Sequence, residues 1–213
     1  MLSTEKISQI KSLILNDSTF LNSMNEALSF DGKEKGHSNA SPIEDIITKI
    51  LVDNLGAEKA VGSRELGDVY MSSDFELVQV SGKNFINIKF GDDVFGQPNM
   101  CSMNRIMKSF VETNLIDSYY IIKVKLEKDK FSVNVFDMFD YIDYLTWNSG
   151  TGQIMLKEAD FYKGLNLPVN NLSISEKKRK IADLYIKGQD EHIALRIKQR
   201  NDKLEKLKKM GII

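Results

Sequence analysis

Between about residues 4 and 30, Ile7, Ile10, Leu13, Ile14, Phe20, Leu21, Met24 and Leu28 recur every three or four residues, the period of a helix with one buried stripe. The polar run Asn16-Asp17-Ser18 divides the stretch into two short amphipathic helices. Asp31 to Ser41, DGKEKGHSNAS, has no apolar period and carries glycine, charge and small polar residues, so a mobile surface loop is expected. A helix start follows it. Ser41 stands before Pro42, Glu44 comes three residues after Ser41, and Ile43, Ile46, Ile47, Ile50, Leu51 and Leu55 make one stripe. Gly56 supplies the stop.

From Val61 to Phe90 the spacing shortens. Val69-Tyr70-Met71, Leu77 to Val80 and Phe85 to Phe90 are brief β-type runs separated by Ser-Ser-Asp and Ser-Gly-Lys-Asn turns. A polar segment, GDDVFGQPN, leads into CSMNRIMKSFVETNL, where Met103, Ile106, Met107, Phe110 and Val111 predict a helix of about three turns. Tyr119 to Leu126 and Phe131 to Phe136 read as a hairpin, followed by an aromatic stretch from Asp137 to Trp147, a tight NSGTG loop and a short strand, Gln153 to Leu156. A variable connection runs through Pro168. Ser175 to Met210 is a long basic helical segment, with Gly188 expected to interrupt it. Helix, strands, helix, strands is the order of an α/β protein with a central mixed β-sheet flanked by helices.

At 213 residues the chain has the length of one domain, and 42% hydrophobic with 28% charged residues is a globular balance. The 29 basic side chains against 30 acidic ones leave a net charge of -1, so overall charge points to no polyanionic partner and any basic surface must be local. One cysteine, Cys101, and two histidines exclude an internal disulfide and a Cys/His zinc cluster. His37 and His192 have no defensible partner spacing and read as surface residues, and Met100, Met103 and Met107 as core filler. No stretch approaches the eighteen or more uninterrupted apolar residues of a membrane helix, and the amphipathic N-terminus lacks the apolar run of a signal peptide. A soluble cytoplasmic protein is the expectation.

The chemistry concentrates at Ile86-Asn87-Ile88-Lys89-Phe90, where alternation sends Ile86, Ile88 and Phe90 to one strand face and Asn87 and Lys89 to the other. About twenty residues earlier, Gly67-Asp68-Val69 puts an acid at a strand start, an unusual place for one unless it is used. An aspartate on one strand and an Asn-x-Lys pair on the next can converge on one spot. Carboxylates hold a hard divalent cation through oxygen, the cation polarises a phosphate and acidifies a bound water, and a lysine stabilises developing charge.

These residues resemble the PD-(D/E)xK nuclease superfamily, and more closely its type II restriction endonucleases. Asp68 corresponds to the first motif acid and Asn87-Ile88-Lys89 to (D/E)xK, and GQPNMCSMNRIMKSF is similar to a Gly-Gln-Pro-Asn loop and helix that follow that strand in some restriction enzymes. The resemblance covers roughly residues 40 to 125. It implies a restriction-endonuclease-like fold over a single nuclease domain, residues 1–213, and Mg2+-dependent cleavage of double-stranded DNA. A homodimer acting on a short palindromic site and a cognate methyltransferase are implied with it. Asp68 would be a metal ligand, Asn87 a neutral ligand or positioning group, and Lys89 the catalytic base-positioner or charge stabiliser. The sequence departs from the motif in having Asn at 87 and Gly67, not proline, before Asp68. One carboxylate holds magnesium weakly, so a further acid is required. Family members supply one from the preceding helix, which makes Glu44 the candidate ahead of Glu65 and Glu76. A decayed site that binds DNA without cutting is the alternative.

Gln97, Asn99, Ser102, Asn104 and Arg105 are candidates for a loop and helix start against the duplex, although Asn99 or Ser102 serves equally as a helix cap. Asn148, Ser149 and Gln153 around the NSGTG loop could reach a groove, or simply form a tight turn. Residues 175–213 combine a narrow apolar stripe with many lysines and arginines. Dimerisation, a grip on DNA and plain packing on the core all suit such a segment; a membrane-surface role suits it less, because the interspersed acids would repel anionic lipid.

Overall fold

The computed structural model describes residues 2–29, 35–59, 69–72, 83–92, 99–126, 130–148, 152–156 and 172–213. At the start of the chain α1 (Thr4–Asn16) and α2 (Ser18–Ser29) form as the apolar period predicts. The polar break between them is a cap: Asp17 Oδ1 accepts from the Phe20 N–H at 2.8 Å.

α3 differs from expectation. It spans Lys35–Leu55, so residues 35–41 are helical and not a loop, and Pro42 lies inside the helix instead of opening it. Residues 31–34 of the expected loop lie outside the described residues. Extending a formed helix adds about one hydrogen bond per residue, so a segment with no stripe of its own can continue a helix anchored elsewhere. The anchor is Ile43, Ile47, Ile50 and Leu51, all buried. Pro42 costs one bond of the ladder, because it has no amide N–H. Gly56, with φ +64°, ends the helix, and the Ala57 N–H returns to the Leu51 carbonyl at 3.2 Å.

Among the described residues the strands are β1 (Glu58–Lys59), β2 (Val69–Ser72), β3 (Lys83–Asp92), β4 (Asn99–Ser102), β5 (Ile116–Leu126), β6 (Phe131–Asp137), β7 (Leu145–Asn148) and β8 (Gln153–Leu156). Residues 77–80, expected as a strand, lie outside them. The main sheet has the order β1-β2-β3-β5-β6, with β3 and β5 parallel and every other neighbour antiparallel. Parallel neighbours need a crossover. Here it contains β4, α4 (Met103–Ile106) and a π turn (Met107–Glu112), so the expected three-turn helix is α only at its start. Thr113 closes the wide turn by donating both its N–H, at 3.0 Å, and its hydroxyl, at 2.6 Å, to the Lys108 carbonyl. β4, β8 and β7 make a second, antiparallel sheet.

Each face of the main sheet carries its own core. Ile86, Ile88, Tyr120, Ile122 and Val124 pack with α1, α2 and α3 on one side. Phe85, Tyr119, Ile121 and Phe136 pack on the other with α4, the π turn, a 3-10 helix (Met138–Tyr144) and α5 (Ile174–Lys209). The molecule is therefore a mixed α/β protein with helices on both faces.

α5 begins at a reciprocal cap in which Ser173 and Glu176 each bond the other's backbone N–H. It runs through Gly188 without a break. The glycine is there for contact: a Cβ built on it would stand 1.6 Å from Cε3 of Trp147, whose ring stacks on Tyr185 at 5.7 Å and 16°. Two ion pairs also fasten α5 to the 3-10 helix, Lys177 to Asp140 at 2.5 Å and Lys180 to Asp143 at 2.6 Å. Among the described residues no helix is long and apolar enough to cross a membrane.

Candidate functional site

Alternation along β3 divides its side chains as expected. Ile86 and Ile88 go to the core beneath α3, while Asn87 turns to the other face, fully buried, and donates from Nδ2 to the Tyr119 hydroxyl at 2.9 Å. Tyr119 is fixed at both ends, since its backbone N–H donates to Asp137 Oδ1 at 3.2 Å and its ring tilts against Phe85 with centroids 4.8 Å apart. The amide of Asn87 is thus oriented by a ring held in place from the neighbouring strand.

Further along the strands the same face becomes polar. Lys89 on β3, half-buried, is the register partner of Lys123 on β5, and Lys123 in turn pairs with Asn134 on β6. Lys123 is only 4% exposed. Lys125 and Ser132 form the next register pair. Apolar residues, Phe85, Tyr119, Ile121 and Phe136, occupy the start of this face, and Asn87, Lys89, Lys123, Lys125, Asn134 and Ser132 occupy the part toward the C-terminal ends of the parallel strands. That end of an open α/β sheet is where ligands commonly bind.

The two segments considered separately as DNA contacts come together. Ser102 on β4 pairs with Gln153 on β8, and Gln153 pairs with Asn148 on β7, in one row across the small sheet. Gly152, with φ +68°, donates its N–H to the Asn148 carbonyl at 2.8 Å and accepts the Met103 N–H on its own carbonyl at 3.1 Å, tying this turn to the start of α4. Asn104 is exposed on α4 and Arg105 half-buried, its guanidinium 5.7 Å from the centre of the Phe85 ring. Phe85, Tyr119 and Asn87 then lead from Arg105 to the polar face. Ser102 occupies the cap position of α4 but makes no capping bond with its side chain. Asn99 lies in β4, opposite Met155.

Glu44 is half-buried on α3, which covers the opposite face of the sheet from Asn87 and Lys89. Val69 is the register partner of Ile86, immediately before Asn87. Asp68, Glu65, Glu76, Gln97 and Ser149 lie outside the described residues. Among the described residues no group of three or more His, Cys, Asp or Glu side chains could hold a metal ion.

Sequence reasoning missed Tyr119, Lys123 and Asp137. Asp137 caps the 3-10 helix, its Oδ1 accepting from the Phe139 N–H at 3.0 Å and the Tyr119 N–H at 3.2 Å. Its Oδ2 is buried with no hydrogen-bond partner among the described residues. Burial first, and the negative charge of Asp140 second, push this carboxyl up to about 7. No protein-family model matches the chain, and no curated protein is significantly similar to it in sequence.

Proposed function

We propose that the chain is a site-specific, divalent-metal-dependent endonuclease of double-stranded DNA, with its active site on the polar face of β3 and β5. The observation that carries this reading is the placement of Asn87 and Lys89 side by side on the inner strand β3, between antiparallel β2 and parallel β5. The order expected from the resemblance to restriction endonucleases is helix, strand, strand, Gly-Gln-Pro-Asn loop and helix, and α3, β2, β3 and α4 follow one another in that order along the chain. Lys89, half-buried at the polar end of β3, is suited to meet an anion such as a phosphodiester, with the buried charge of its register partner Lys123 behind it. Arg105, Asn104, Asn148 and Gln153 offer polar and cationic groups at the adjoining small sheet, the residue types that contact phosphates and base edges.

Asp68 and Asn87 would hold the cation, Asn87 through its amide oxygen, since its nitrogen is committed to Tyr119. A bound magnesium ion would polarise the phosphate and lower the pKa of an attacking water. Lys89 would hold the water or the developing negative charge, and Tyr119 would fix the Asn87 amide. Glu44, on the opposite layer, is the weakest member of the expected set. A homodimer working on a two-fold symmetric site, and a partner methyltransferase, belong to the same proposal.

Incubating the protein with long mixed-sequence DNA, with and without magnesium, tests it: discrete magnesium-dependent bands are expected from the wild type. Lys89→Ala should abolish them while leaving DNA binding largely intact, and cleavage by that variant at the wild-type rate would refute the assignment. A second reading is favoured by one feature, the neutral side chain buried at position 87. In a decayed, DNA-binding descendant of the same site the wild type cuts nothing and only shifts DNA in a binding assay. Under that reading Asn87→Asp supplies the missing charge and is the variant in which cleavage would first appear.

A further inference from the structure

Beyond Gly188 no residue of α5 is buried, and its remaining 21 residues to Lys209 extend for about 30 Å at 1.5 Å per residue. Apolar side chains stay in water there: Ile193 and Ile197 are each 55% exposed, and Ile186, just before Gly188, 58%. Taken four and three residues apart in turn, the positions Ile186, Asp190, Ile193, Ile197, Arg200 and Leu204 form one seam that continues to Leu207, the spacing of a helix-pairing stripe. The seam holds one acid and one base, and neither makes an ion pair among the described residues. It points away from the body, roughly 150° around the helix from the side where Lys177, Ile181 and Gly188 are buried.

We propose that this seam docks on the same seam of a second copy of the chain, with the two helices antiparallel. Charge decides both the partner and the direction. In a parallel, in-register pair Asp190 would meet Asp190 and Arg200 would meet Arg200, placing like charges at the contact. In an antiparallel pair that sets Ile193 against Ile197 of the second copy, the spacing of ten residues between Asp190 and Arg200 brings each acid opposite the other copy's arginine, twice by symmetry. Ile186 then meets Leu204. The seam thus complements itself about a two-fold axis near residue 195, and the bodies lie on the outer sides of the helix pair, clear of each other. None of this depends on the nuclease reading.

Sedimentation equilibrium of the full chain tests the proposal. A dimer is expected for the wild type. Asp190→Arg alone and Arg200→Asp alone should each weaken self-association by roughly tenfold or more, because each puts like charges at the contact. The double variant D190R/R200D should recover the wild-type association, since it exchanges the pair without changing the complementarity. All four positions of the altered pairs are exposed, and circular dichroism checks that the helix is retained. Direction is tested with a chain carrying both D190C and R200C, in which oxidation should link two copies, whereas D190C alone should not. A monomeric wild type would overturn the proposal and leave the seam to a different protein. An undiminished single variant, an unrescued double variant or efficient linking by D190C alone would overturn it as well.

Discussion

A carboxylate sealed in the core resists ionisation, and Asp137 shows how far position can move one side chain. Its carboxyl is pushed from the ordinary 3.8 up to about 7 by burial and by Asp140. The folded state therefore holds this proton more tightly than the unfolded chain, and between about pH 4 and 7 the native protein binds more protons than the denatured one. Stability from this group is present at the acid end and falls as pH rises through 7. Asp137→Asn keeps an acceptor for the Tyr119 and Phe139 N–H groups, so it should flatten the fall when urea denaturation is compared across that range. A wild type whose stability rises between pH 5 and 7 while the variant's does not would refute this. Burial first, and the nearby Asp137 second, push the Tyr120 hydroxyl upward, so Tyr120 stays neutral while accepting from the Leu2 N–H at 2.9 Å. Asn87 and Lys89 were legible in the sequence because strand alternation is a local rule. Tyr119 was not, since its role depends on a register that joins residues 32 apart. Asp137 left a weak signal, an acid within a run of aromatic and apolar residues.

Elements were legible wherever one period persisted. The first two helices and the 119–126 and 131–136 hairpin have the expected places, with β5 beginning three residues earlier and β6 ending one later. α3 was misread because Ser-Pro looked like a start, while the helix is nucleated by the buried stripe beyond it. The glycine in α5 was misread because its purpose lies in another element. Adding a methyl group at Gly188 should make that purpose measurable. Gly188→Ala gains up to about 1 kcal/mol of helix propensity, but it must displace Trp147 from a contact that would be 1.6 Å. Overpacking of this kind costs about 1–3 kcal/mol, so a net loss of up to about 2 kcal/mol is expected in urea denaturation. A variant as stable as the wild type would show that the indole moves away freely.

At the scale of the whole molecule, the order of helices and strands was enough to predict a mixed sheet with helices on both faces. The small β4-β8-β7 sheet was beyond reach, because β4, a strand of four residues, pairs with β8 across some fifty positions of sequence. It is also what unites the two segments suspected of touching DNA. Dependence of stability on concentration distinguishes the body from the projecting helix. If two copies associate, the denaturation midpoint of the full chain rises with protein concentration. A chain ended after Gln189 should lose that dependence yet keep the intrinsic stability of the body within about 0.5 kcal/mol, since no residue beyond Gly188 is buried. A large loss of body stability would mean that the distal helix supports the core. Trp147 has a further use here. It is the chain's one tryptophan, placed where α5 leaves the body, stacked on Tyr185, with Nε1 buried and no acceptor among the described residues. An indole in such surroundings emits at short wavelength, so the protein carries its own optical gauge: an event that lifts the helix from its seat lets water reach the ring and shifts the emission to the red, without any label.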